Sequence, residues 1–94
     1  MEGPFLQELD QTQWQHTGMP VTTLIREWSD GSVDALVVLS PDIAYGRRDN
    51  SSKRLVEQKS GKAVEVARFM QRLPAPGTPG APSDELPDPI EPVK

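Results

Sequence analysis

Residues 21–39 read VTTLIREWSDGSVDALVVL, two strand-like runs flanking Ser29-Asp30-Gly31-Ser32, which is the pattern of a β-hairpin. Charge selects the loop length. A two-residue loop at Asp30-Gly31 would pair Ser29 with Ser32 and set Glu27 opposite Asp34, which like-charge repulsion disfavours. A three-residue loop, with Ser29 and Asp30 in a type I turn and Gly31 in the left-handed region, pairs Trp28 with Ser32 and brings Arg26 opposite Asp34. Side chains alternate along a strand, so this register gathers Val21, Ile25, Val33, Ala35, Val37 and Leu39 on one face, interrupted by Thr23 and Glu27. That face is the expected core. The other carries Arg26 and Asp34 together with Leu24, Trp28, Leu36 and Val38, which is more apolar than a solvated sheet face. A cover is expected over it. The N-terminal Phe5, Leu6, Leu9 and Trp14 folding back are favoured over a second copy or another protein, because an intramolecular cover forfeits no translational freedom.

Pro41-Asp42 breaks the second run, and residues 43–48 are short enough for a third strand leading into the turn-rich Asp49-Asn50-Ser51-Ser52. Residues 53–59 fit either a fourth strand or a helix beginning at Ser51 or Ser52; the strand is favoured because turn cluster and short run together match a second hairpin. From Gly61 the pattern changes period. Ser60 is the expected N-cap, Ala63, Val66, Ala67, Met70 and Leu73 recur at helical spacing, and Pro74 and Pro76 end the run. The fold class is therefore α+β, a small two-layer domain in which one C-terminal helix lies on a three- or four-stranded antiparallel sheet. Residues 1–19 form an N-terminal segment that covers the sheet, and residues 20–73 form the domain. Residues 74–94 are expected to be a disordered tail, since they hold seven of the ten prolines.

Trp28-Ser29-Asp30-Gly31-Ser32-Val33-Asp34, then Ala44-Tyr45-Gly46-Arg47-Arg48, then Gly61 opening a helix that closes on Leu73-Pro74-Ala75-Pro76, resembles a group of short bacterial proteins with a Trp-x-Asp-Gly-Thr-x-Asp hairpin, a Gly-x-Arg strand and a Leu-Pro-x-Pro ending. The likeness spans about residues 28–82. It departs at Leu55-Val56-Glu57, where that group tends to carry a Trp. The resemblance implies a strand after Asn50 and implies no activity.

Catalytic chemistry finds little to work with. The chain of 94 residues has no cysteine, so disulfides, thiol catalysis and thiolate metal sites are excluded together. His16, the single histidine, lies in a polar stretch and is expected to be an ordinary exposed side chain. Asp30, Asp34 and Asp42 sit at turns or opposite Arg26, with no facing partner for acid and base roles. Gly77-Thr78-Pro79-Gly80 cannot cradle phosphate, because proline removes a donor. No enzyme, cofactor or metal is expected. No apolar run is long enough to span a bilayer and the first residues lack a secretion signal, so a cytoplasmic location is expected.

Charge is uneven. Residues 47–72 hold eight basic side chains, Arg47, Arg48, Lys53, Arg54, Lys59, Lys62, Arg68 and Arg72, against three acidic ones, within a chain of net charge −4. Gathered on one surface these would suit a nucleic acid, although only Tyr45 is at hand for stacking. Prolines of the tail fit PxxP spacing without a basic neighbour to orient them, and Leu86, Ile90 and Val93 stand among Asp84, Glu85, Asp88 and Glu91. The expected function is non-enzymatic binding of a protein partner or a second copy through Leu24, Trp28, Leu36 and Val38. The alternative is a nucleic-acid-associated regulator that uses the basic surface, with the acidic tail as competitor.

Overall fold

The computed structural model describes residues 9–10, 13–18 and 21–82. Five strands among these residues, β1 (Gln15–His16), β2 (Thr22–Glu27), β3 (Val33–Ser40), β4 (Ile43–Asp49) and β5 (Leu55–Gly61), form one antiparallel sheet in chain order. Among the described residues one helix, α1 (Ala63–Arg72), lies across β3, β4 and β5. The sheet exceeds the expected three or four strands by β1, where Gln15 and His16 pair with Ile25 and Leu24. Two polar residues carry no alternation by which a strand could be recognised. Among the described residues no helix is long and apolar enough to cross a membrane.

The hairpin takes the register that its charges require. Arg26 stands opposite Asp34 and Glu27 opposite Val33. Gly31 N–H donates to Trp28 O and Trp28 N–H to Ser32 O, both at 2.9 Å, while Gly31 adopts φ +92°. Residues 55–61 are strand rather than helix, as the turn cluster implied. Asn50 makes that turn by accepting at Oδ1 from the N–H groups of Ser52 and Arg54, at 2.9 and 3.1 Å.

The core lies on the opposite face from the one expected. α1 covers Leu36, Val38 and Ala44 with Ala63, Val66, Ala67 and Met70, and Leu9, Trp14 and Leu24 complete the cluster. The cause is steric and sits on β4. Its inward positions are Ala44, Gly46 and Arg48, and a Cβ at Gly46 would stand 2.6 Å from both Cγ and Sδ of Met70. Only a strand this bare lets the helix axis come close. The outward positions Ile43, Tyr45 and Arg47 project too far for that. The cover is therefore mainly α1, joined by two of the four expected N-terminal residues; Phe5 and Leu6 lie outside the described residues.

α1 is capped two residues later than expected. Ser60 is the penultimate residue of β5, paired with Tyr45, and Lys62 occupies the N-cap position without a side-chain bond. Instead the Ala63 N–H donates 2.9 Å to the carbonyl of Pro41, in the β3–β4 turn. One otherwise orphaned helix donor is thereby satisfied by the sheet. Beyond α1, the described part of the expected tail, residues 74–82, makes two successive turns, Thr78 N–H donating to Ala75 O and Ala81 N–H to Thr78 O, each at 3.1 Å. The remaining expected tail, residues 83–94, lies outside the described residues.

Candidate functional site

Three places hold the side chains that could act on something else. The first is buried. Asp34, wholly excluded from solvent, accepts five hydrogen bonds: Arg48 Nε at 2.6 Å and Arg48 Nη2 at 2.9 Å, Arg26 Nη2 at 2.7 Å and Arg26 Nε at 3.1 Å, and Trp28 Nε1 at 3.0 Å. β3 supplies the carboxylate, and its neighbours on either side supply one guanidinium each at the facing register positions. The Arg26 guanidinium is sandwiched between the rings of Trp14 and Trp28, each 4.6 Å from its centroid.

Both arginines also reach the end of the helix. Arg26 Nη2 donates to Met70 O at 2.9 Å, a carbonyl that also accepts the Leu73 N–H at 3.3 Å, and Arg48 Nη1 donates to Pro74 O at 2.6 Å just beyond the helix, so two cations sit at its negative end. Gln71 Oε1 accepts from the Asp10 N–H at 3.0 Å and from Trp14 Nε1 at 3.4 Å, which ties the N-terminal segment to α1. Burial pushes the Asp34 carboxyl upward, but the bonds from Arg48, Arg26 and Trp28 with the Arg48 charge outweigh it and hold the group below its ordinary value. A carboxylate so saturated has no lone pair to offer a substrate, and a guanidinium does not release its proton. The cluster acts as a clasp that fastens helix to sheet. No buried side-chain nitrogen or oxygen among the described residues lacks a partner.

The second place is the open face of the sheet. Val21, Leu39, Ile43 and Tyr45 are 38%, 48%, 50% and 45% exposed, and Ile25, Val33, Ala35 and Val37 stand half-buried between them. Rows run across the strands: Thr23, Val37, Tyr45 and Ser60, then Ile25, Ala35, Arg47 and Gln58, then Glu27, Val33, Asp49 and Leu55. Apolar groups thus fill the end near Val21 and Ile43, while charge collects at the other end, where Arg47 Nη2 pairs with Asp49 Oδ1 at 2.8 Å.

The third place, the expected basic surface, is divided. Arg48 is inside the clasp, and Arg47 lies on the open face. Lys53 and Arg54 belong to the β4–β5 turn, and Lys62 precedes α1. Lys59, Arg68 and Arg72 meet between β5 and α1, where Lys59 Nζ sits 5.5 Å from the centre of the Phe69 ring. The expected binding face fares differently again: Leu24, Leu36 and Val38 are core, and Trp28 is half-buried against the clasp. His16 is exposed on β1, where it pairs with Leu24, and no three His, Asp or Glu side chains among the described residues converge as metal ligands.

Sequence reasoning found the Arg26–Asp34 pair and missed Arg48 as the second cation. The missing signal was the β3–β4 register. Once the turn at Pro41-Asp42 sets it, Arg48 must fall opposite Asp34. The sequence matches no family model, no curated protein and no solved structure.

Proposed function

We propose that the chain is a non-catalytic protein-binding module that docks through the open face of its sheet, and that the occupant of this face is a second copy of itself. The observation that carries the reading is the uncovered apolar surface formed by Val21, Leu39, Ile43 and Tyr45 around Val37. Exposed contiguous apolar surface on so small a domain marks an interaction site. With strands about 4.8 Å apart and residues about 3.3 Å apart, the four longer strands present about 20 Å by 20 Å. Two such faces, with the relief of their side chains, reach the roughly 1,200 Å² at which specific interfaces begin.

Charge favours like on like in one orientation. β3 is the middle strand, so a twofold axis along it lays β2 of one copy over β4 of the other with the same ends together. Glu27 then lies over Asp49 of its partner, whose charge Arg47 already offsets at 2.8 Å, and the small Ala35 lies near the axis, where the sheets must approach most closely. An axis across the strands would instead press Glu27 against Val21 and the Arg47–Asp49 pair against Ile43, desolvating charge on apolar side chains. A cytoplasmic setting belongs to the same proposal, since a chain without cysteine needs no oxidising compartment.

Sedimentation of the full chain over micromolar concentrations tests this. A dimer is expected, undiminished by added salt because its core is apolar. Val37→Lys and Tyr45→Lys should each yield monomers whose tryptophan fluorescence, which reports Trp14 and Trp28 on the other face, is unchanged. A wild-type monomer throughout would overturn self-docking and leave the face to an unlike protein; dimers that persist in both variants would place the contact elsewhere. Salt-sensitive binding of nucleic acid that ignores both substitutions would favour the basic side chains instead.

A further inference from the structure

Between β5 and α1 lies a hollow of about 400 Å³, lined by Lys59, Glu65, Arg68, Phe69 and Arg72. Its floor is the partly buried Phe69 ring and its rim is cationic at three points, against the single carboxylate of Glu65. Such a site suits an extended acidic segment that brings one apolar side chain to the ring. The chain itself ends in one: Asp84, Glu85, Asp88 and Glu91 surround Leu86 and Ile90, and Pro87 and Pro89 hold such a segment extended, so less entropy is lost when it binds.

Reach agrees with charge. Pro82, the last described residue, lines one common hollow with Val56 near the start of β5. Lys59 is three residues further along β5, about 10 Å away. Leu86 is four residues beyond Pro82, and an extended chain covers about 13 Å over that distance. We propose that residues 83–94 occupy this cleft in cis, with Leu86 on Phe69 and the carboxylates of Asp84, Glu85 and Asp88 against Lys59, Arg68 and Arg72. The attachment makes weak contacts sufficient. A short tether gives an effective concentration on the order of 1 mM, so an intrinsic dissociation constant of about 0.1 mM leaves the cleft about 90% filled. The segment then acts as a resident competitor that any other acidic peptide must displace.

The test uses the full chain, which is free of cysteine, so that Pro89→Cys takes a nitroxide label at one position only. At low salt the amide signals of Lys59, Arg68, Phe69 and Arg72 should broaden selectively and to the same degree at every protein concentration. Arg68→Glu with Arg72→Glu, both on the exposed side of α1, should abolish the effect, and adding Asp84→Lys with Glu85→Lys to that chain should restore it. Broadening that is absent, spread evenly, centred on the open sheet face or indifferent to charge reversal would overturn the proposal. Broadening that grows with concentration would also overturn it, by assigning the contact to neighbouring molecules.

Discussion

Replacing Gly46 by Ala tests why the helix lies where it does. The new methyl would stand 2.6 Å from Cγ and Sδ of Met70 and 3.0 Å from Cγ1 of Val66, and both side chains are fully buried, so neither can swing into solvent. Overpacking of a filled core costs about 1–3 kcal/mol. Methionine adapts better than a branched side chain, which keeps the cost near the middle of that range, and Ala recovers about 0.5–1 kcal/mol over Gly within a strand. The net expectation is a loss of about 1 kcal/mol, or about 4–8 °C in Tm for a domain of this size. Met70→Ala alone should cost about 2–5 kcal/mol through its cavity. In the double variant the methyl at position 46 enters the space Met70 vacates, so the combined loss should fall short of the sum by about 0.5–1 kcal/mol or more. Urea denaturation followed by tryptophan fluorescence measures all three. A Gly46→Ala protein as stable as wild type, or strict additivity, would refute the claim that bare backbone at position 46 seats α1.

Asp34→Asn should be the most damaging single change in the clasp, at about 3–5 kcal/mol, because it leaves two buried guanidinium groups without their counter-ion; equilibrium denaturation at neutral pH checks it. The same group sets an acid limb. Its folded pKa lies below its ordinary value of 3.8, so its contribution is present above about pH 4 and is lost as pH falls through the lower folded value. Stability measured between pH 2 and 6 should fall steeply at the acid end for wild type and less steeply for Asp34→Asn. Gly31→Ala should cost about 1 kcal/mol, because φ +92° is strained for any Cβ, while Ser51 Cβ at 3.5 Å leaves ordinary room for the atom itself. Gly31→Asn should cost less, since Asn tolerates the left-handed region; equal thermal shifts for the two would show that space rather than backbone decides this position.

Local chemistry wrote the hairpin into the sequence. The repulsion of Glu27 and Asp34, the need for a left-handed residue at Gly31 and the turn residues at 49–52 each act over a few positions, so loop, register and the strand over 55–61 were legible in the chain itself. The helix was legible for the same reason, its apolar residues recurring within the helix's own turn. Which face of the sheet receives that helix was not. Both faces are apolar along β2 and β3, and the face richer in valine and isoleucine was the natural choice for a core. The choice was made on β4, where Ala44 and Gly46 leave room for α1 and Tyr45 and Arg47 do not, and this acts only when residues far apart in sequence are brought together. Arg48 shows the same dependence. In the sequence it is one of eight basic residues in an exposed-looking run, and only the β3–β4 register carries it opposite Asp34, where two cations, one carboxylate and two indole rings satisfy one another out of water. Turns and periodicities are set by neighbours along the chain; the side of a sheet that becomes interior is set by steric room and by charges paired across strands, which do not exist until the sheet has formed.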